Sequence, residues 1–249
     1  MPEAAVAESP VGFFDSGLGG LGVRDAFARE CPLEDTVYIA DSANCPYGSR
    51  PPVEVLRLSS ANVETLLSRG CKMVVVACNT ATAAAIKALR KVHPGIPFVG
   101  VEPALKPAAA SSKSRVVGVL ATRGTFCGDA HYLSTKRRFA RGVEVVPCVA
   151  DEFVEFVERG ETEGARVEEA VRRRLEPLFA AGADAIVLGC THFPHLRGVM
   201  EKVASGRAEF FDPADAVARR AREVLAERGL LRTSPSPGGP RHDFLRTGI

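Results

Sequence analysis

At 249 residues, with 46% hydrophobic and 25% charged side chains, the chain has the length for one large core or two smaller ones and the composition of an ordinary globular protein. Its net charge of +2 is too small to argue for nucleic acid or a membrane surface as a partner. No apolar run reaches the ~18 residues of a spanning helix, and Met1–Pro10 lacks the basic segment of a signal peptide, so a cytoplasmic location is expected.

In chain order, short β-branched or apolar runs predict strands at Val11–Phe14, Thr36–Ala40, Met73–Ala77, Phe98–Val101, Arg115–Ala121, Val143–Pro147, Ala185–Gly189 and Glu209–Phe211. Helical patterns lie between them at Pro52–Arg69, Ala81–Val92, Asp151–Glu158, Ala165–Ala180 and Ala214–Arg228, the last closing on Gly229. This alternation predicts an α/β fold with mainly parallel sheets. The Pro-, Gly- and Ser-rich segment 232–249 is expected to be a flexible tail. The basic runs Lys136–Arg138 and Arg172–Arg174 are expected to be solvated helix faces.

The strand pattern suggests a duplication. One strand ends in Ala77-Cys78-Asn79-Thr80 and another in Gly189-Cys190-Thr191-His192, so two cysteines close comparable strands 112 residues apart. Ligands gather at the carboxyl ends of parallel strands. Two halves of the same topology, facing one another, would bring Cys78 and Cys190 to opposite sides of one cleft. There the N-terminus of the following helix is expected to lower each thiol's pKa. The seven cysteines are odd in number and contain no C-x-x-C pair, which argues against a disulfide framework or a four-cysteine zinc site. The other five are expected to be small hydrophobes.

Each motif admits more than one use. Gly17-Leu-Gly19-Gly20-Leu-Gly22 spells G-x-G-x-x-G after a strand, the pattern of a dinucleotide loop. Asp15, just before it, would point a carboxylate at a pyrophosphate, and the alternatives are a plain tight turn or a loop that presents Asp15 and Ser16 as working groups. Cys78 is either a buried cysteine before a helix cap or a reactive thiol whose neighbours Asn79 and Thr80 hold a ligand. His192 can stabilise a thiolate at Cys190 or relay its proton; a metal site of Cys190, His192 and His195 is the rival, and Pro194 spoils its helical spacing. Cys45-Pro46-Tyr47-Gly48 reads as a turn. Two thiols flanking one carbon could invert it, one removing a proton while the other delivers one to the opposite face. A cysteine pKa of ~8.5 suits that task without a cofactor.

Five motifs in this order resemble those of glutamate racemases in the cofactor-independent aspartate/glutamate racemase superfamily. They are Asp15-Ser-Gly-Leu-Gly-Gly, Pro46-Tyr-Gly, Ala77-Cys-Asn-Thr-Ala-Thr, Leu120-Ala-Thr-Arg-Gly-Thr and Leu188-Gly-Cys-Thr-His-Phe-Pro. The resemblance implies two pseudo-symmetric α/β domains with glutamate in the cleft between them. The first is expected to span 1–100 plus 210–231 and the second 101–209. It also implies Cys78 and Cys190 as the catalytic acid/base pair, with Asp15 assisting the first, and His192 and Glu158 the second. Asp15, Ser16, Tyr47, Gly48, Asn79, Thr80, Thr122, Thr191 and His192 match substrate-holding positions. No cofactor and no metal are expected, nor any nucleic acid or membrane partner. A homodimer is expected, and D-glutamate would supply peptidoglycan synthesis. Cys45 departs from the pattern, which calls for another residue type before Pro-Tyr-Gly.

Overall fold

The computed structural model describes residues 7–127, 136–138 and 142–248. Parallel strands covered on both faces read as unbroken apolar sequence, and VGFFD, TVYIA and MVVV do so. They form β1 (Val11–Asp15), β2 (Thr36–Ala40) and β3 (Met73–Val76), each fully buried. The remaining strands are β4 (Phe98–Gly100), β5 (Val116–Ala121), β6 (Glu144–Val149), β7 (Ala185–Gly189), β8 (Glu209–Phe211) and β9 (His242–Arg246). One sheet runs β4-β3-β1-β2-β9 and the other β6-β5-β7-β8, with every pairing parallel.

With β9 set aside, the two sheets have the same strand order, second-first-third-fourth counted within each. The predicted duplication is thus a repeated topology. In this order the connections from the first and third strands diverge to opposite faces and leave a crevice at their carboxyl ends. Asp15 and Cys78 stand at that point in one sheet, Thr122 and Cys190 in the other.

The helices are α1 (Leu21–Glu30), α2 (Pro52–Ser68), α3 (Asn79–Val92), α4 (Leu105–Ser111), α5 (Arg123–Cys127), α6 (Glu152–Glu158), α7 (Ala165–Ala180), α8 (Arg197–Ala204) and α9 (Ala214–Glu227). Phe27 of α1 and Val217, Ala221 and Leu225 of α9 pack on Phe13, Tyr38 and Val75, while α2 and α3 cover Phe14, Ile39 and Val76 on the opposite face. In the second sheet α6, α7 and α8 enclose Leu120, Ile186 and Leu188, and α4 covers Val117, Val119 and Val187. Cys31 and Cys71 are buried in the cores of the first sheet as small hydrophobes; the side chain of Cys127 lies outside the described residues. Arg172 pairs with Glu168, and Arg173 and Arg174 with Glu152, a solvated face as expected. Among the described residues no helix is long and apolar enough to cross a membrane.

Segment 232–249, expected to be a flexible tail, is instead folded through residue 248. Strand β9 lies beside β2 in register, Thr36 opposite His242 and Ala40 opposite Arg246. Its pattern escapes a reading based on apolar periodicity because four of its five side chains are exposed. Polar groups hold it instead. Arg232 is buried against Asp35 (3.2 Å), its backbone N–H donates to Glu34 (2.8 Å), and Arg241 N–H donates to Asp35 (2.7 Å). Beyond the strand, Thr247 donates its hydroxyl to Asp41 (2.7 Å) and accepts the Ala43 N–H (3.1 Å). Thr247→Val is expected to cost about 1–2 kcal/mol for these two bonds. A lowered denaturation midpoint at unchanged m-value would show it.

Candidate active site

Strand β1 delivers Asp15 into the crevice with no exposed surface, where it accepts the Gly20 N–H at 2.8 Å. One strand over, β3 ends beside Cys78, which caps α3: its sulfur accepts the Ala81 N–H at 3.4 Å. Asp15 lies close enough to Cys78 for each to act on the other's proton affinity. A helix N-terminus was expected to lower this thiol's pKa. The opposite holds: burial, then the Asp15 carboxylate, push Cys78 well above the ordinary range, against the pull of the Ala81 and Ser16 N–H groups. Burial likewise raises Asp15, partly offset by His192 and its hydrogen bonds.

The second sheet supplies the other wall. Cys190, at the end of β7, lies 3.8 Å from His192 Nδ1, and His192 Nε2 lies 2.6 Å from Glu158 at the end of α6. Glu158 also accepts the Leu18 N–H at 2.8 Å, which joins α6 to the Gly-rich loop of the first sheet. Burial disfavours a charge on His192, but hydrogen bonds with Cys190, Cys45 and Glu158 outweigh it and hold the imidazole well above its ordinary pKa. Glu158 is lowered: burial opposes its charge, yet the His192 and Leu18 bonds prevail. Thr191 reaches back to both oxygens of Asp15 at 3.5 Å. The two thiols are near enough for their charges to interact.

Between the walls lie the residues whose motifs suggested substrate contact. Both polar atoms of the Asn79 side chain are buried and have no hydrogen-bond partner among the described residues. Thr80 does not cap its helix, as one reading of the sequence allowed; its hydroxyl meets Thr122 at 2.9 Å and Thr125 at 3.3 Å, tying α3 to α5. Gly48 accepts the Gly124 N–H at 2.9 Å and sits against Thr122. Tyr47 is buried with its hydroxyl donating to Asp41 at 2.5 Å and accepting from Asn62 at 3.1 Å. The Tyr47–Gly48 segment can therefore offer its backbone, rather than that phenol, to a ligand.

Asn62 and Thr125 were not singled out from sequence, and Asp41 only as the acidic residue that closes the strand after the Gly-rich loop. Asp41 ends a predicted strand and Thr125 ends a quoted motif, so position was available, but their contacts depend on residues distant in the chain. Cys45, expected to be a small hydrophobe in a turn and noted as a departure from the pattern, lies with His192 and Glu158.

The Gly-rich loop serves proximity. A Cβ at Gly17 would lie 2.1 Å from Glu158 Oε1, and one at Gly19 would lie 2.6 Å from His192 Nδ1. The dinucleotide reading fails here, because Asp15 takes the Gly20 N–H and His192 fills the space against Gly19. The grouping of Cys190, His192 and His195 as metal ligands is also not formed, since His195 is exposed on the turn after His192.

Two buried thiols thus stand at matching strand ends, Cys78 near the Asp15 carboxyl and Cys190 near the His192 imidazole. The chain is similar to known proteins both in sequence and in shape. The profile of the Asp/Glu/Hydantoin racemase family matches residues 22–221. A glutamate racemase of Herpetosiphon aurantiacus is 45% identical over 93% of this chain and 90% of its own length. The glutamate racemase of Francisella tularensis, solved with D-glutamate, superposes with a TM-score of 0.85 at 27% identity, covering 98% of this chain and 89% of that one. That of Escherichia coli, solved with L-glutamate, superposes at 0.82 with 32% identity, covering 95% and 89%. By sequence, by strand order and by this pairing of thiols, the chain belongs to the Asp/Glu/Hydantoin racemase family.

Proposed function

We propose that this protein is a glutamate racemase that interconverts L- and D-glutamate without a cofactor, using Cys78 and Cys190 as a two-sided acid/base pair. The observation that carries the reading is that each thiol has a separate proton partner: Asp15 at Cys78, and His192 backed by Glu158 at Cys190. Burial and Asp15 favour the neutral thiol at Cys78, the form that donates a proton. Cys190 faces the His192 imidazole, a group that can exchange a proton with it. Acting on L-glutamate, Cys190 takes the α-proton while Cys78 delivers one to the opposite face; acting on D-glutamate, the roles reverse. His192 and Asp15 adjust protonation after each turnover.

Charge on the substrate fits the same crevice. Backbone N–H groups at the start of α3 and in the Gly-rich loop favour carboxylates, and the Asn79 amide is buried without a hydrogen-bond partner among the described residues. Ser16, Tyr47, Gly48, Thr80, Thr122, Thr191 and His192 complete the proposed enclosure. The proposed division into domains places 1–100 plus 210–231 on one side and 101–209 on the other. A homodimer, a cytoplasmic location and supply of D-glutamate to peptidoglycan synthesis complete the proposal, on the strength of the glutamate racemases it resembles.

The test needs only purified protein in deuterium oxide, with no cofactor added. Either enantiomer of glutamate is expected to gain deuterium at the α-carbon and to lose optical purity, with aspartate turned over far more slowly. Absence of exchange from both enantiomers would sink the reading, and faster exchange on aspartate would reassign the substrate.

A further inference from the structure

We propose that Cys45, Glu158 and His192 form an inhibitory site for a thiophilic divalent cation such as zinc. The Cys45 sulfur, a Glu158 carboxylate oxygen and a His192 ring nitrogen all lie within 4.8 Å of one another. They are contributed by three separate segments: the turn before Pro46, the end of α6 and the turn after β7.

The donor set is one zinc favours. Thiolate, imidazole and carboxylate bind it at about 2.0–2.3 Å, which places tetrahedral ligand atoms about 3–4 Å apart. The present cluster, with its ligand atoms within 4.8 Å of one another, lies about 1 Å from that spacing. Three protein ligands leave one position open; the Cys190 sulfur lies on the other ring nitrogen, 3.8 Å from His192 Nδ1, while Glu158 is on Nε2. Glycine at position 17 keeps the space clear, since a Cβ there would lie 2.1 Å from Glu158 Oε1 and 3.2 Å from the Cys45 sulfur. His192 is buried while Cys45 and Glu158 are half-buried, so a cation could enter from the Cys45 side.

Occupancy would displace the contact that now joins His192 to Glu158 (2.6 Å) and fix the imidazole on the metal. His192 could then neither take a proton from Cys190 nor return one. This consequence rests on the proposed role of His192 in racemisation; the site itself does not. Cys45 is the residue that makes the cluster a metal site, because Glu158 and His192 alone form a hydrogen-bonded pair. It is also the residue that departs from the racemase pattern.

Binding is tested directly with cobalt(II) as the probe, reading the thiolate-to-cobalt charge-transfer absorption. The signal is expected in the wild-type protein and in Cys190→Ala, and is expected to be absent in Cys45→Ala. In parallel, zinc buffered by a chelator is titrated into the α-exchange assay. Wild-type inhibition should reverse with excess chelator, and Cys45→Ala, read against its own zinc-free exchange rate, should need about 100-fold more zinc for half-inhibition, the loss of one ligand among three or four. A cobalt signal that survives in Cys45→Ala and vanishes in Cys190→Ala would place the cation on the catalytic thiols and overturn the proposal. Absence of any signal in the wild type would do the same. Should the protein exchange neither enantiomer of glutamate, the racemase reading fails while the cobalt arm still decides the site.

Discussion

Replacing either thiol by alanine is expected to lower racemisation by roughly 100- to 10,000-fold, the contribution of a positioned acid/base group. Inversion requires a proton to leave one face and another to arrive on the opposite one. Loss of either sulfur therefore stops both directions equally, although Cys78 and Cys190 sit in different sheets. The change should be kinetic rather than structural. Cys78→Ala removes a helix cap, the sulfur that accepts the Ala81 N–H, at a cost of about 0.5–2 kcal/mol. Cys190→Ala removes one sulfur next to His192 and leaves the His192–Glu158 contact in place. Circular dichroism of each variant should match the wild type while optical rotation of either glutamate enantiomer stays constant. Wild-type turnover in either variant would refute the two-thiol assignment.

Glu158→Gln is expected to move the alkaline limb of the pH–rate profile to lower pH. Burial works against a charged His192, and the Cys190, Cys45 and Glu158 hydrogen bonds reverse that effect. A hydrogen bond to a charged group is worth about 1.5–3 kcal/mol, so removing the carboxylate's charge should shift the limb by about one to two pH units. Activity at neutral pH falls with it, and kcat should change more than KM because the pair serves the thiol rather than holding substrate. A profile that keeps its shape would exclude Glu158 from proton traffic. The pair also makes stability depend on pH. His192, raised on folding, contributes fully below its ordinary value of 6.5 and loses that contribution as pH rises through its folded pKa. Glu158, lowered on folding, contributes above its ordinary value of 4.5 and loses that as pH falls through its folded pKa. Stabilisation by the pair is therefore greatest between these limits, and the variant should show a flatter denaturation midpoint across them.

The features legible in the sequence are those written locally. Strands β1, β3 and β7 are short apolar runs buried on both faces, and the Cys78 and Cys190 motifs follow two of them directly. The α/β class and the repeated topology follow from that spacing. Helix α1 went unread because its LGVRDAFARE begins inside a glycine pattern that also fits a nucleotide loop. Glu158 came only from resemblance, since nothing near it in sequence announces that it bonds Leu18, 140 residues away. The same is true of Tyr47, whose motif is visible but whose hydroxyl is committed to Asp41 by a fold that brings α2 and its Asn62 alongside. Cys78 shows a different limit. Its place at a helix start was read correctly, but burial and Asp15 outweigh the helix in setting its proton affinity.

Strand β9 holds the crevice from behind at two points. Phe244 stacks on Tyr38, whose hydroxyl donates to the Gly17 carbonyl, and Thr247 grips Asp41, which in turn holds Tyr47. Yet among the described residues β9 is an edge strand with one neighbour, and Thr36 of β2 and its partner His242 are 206 positions apart in the chain. Segments with few buried apolar contacts open locally at a fraction of the global unfolding free energy. When β9 lifts away, the sheets remain folded but the anchors of Gly17 and Tyr47 slacken. Heat should therefore silence turnover some degrees before the cores melt, and the amides of β9 should exchange with solvent well ahead of those in β1 and β3.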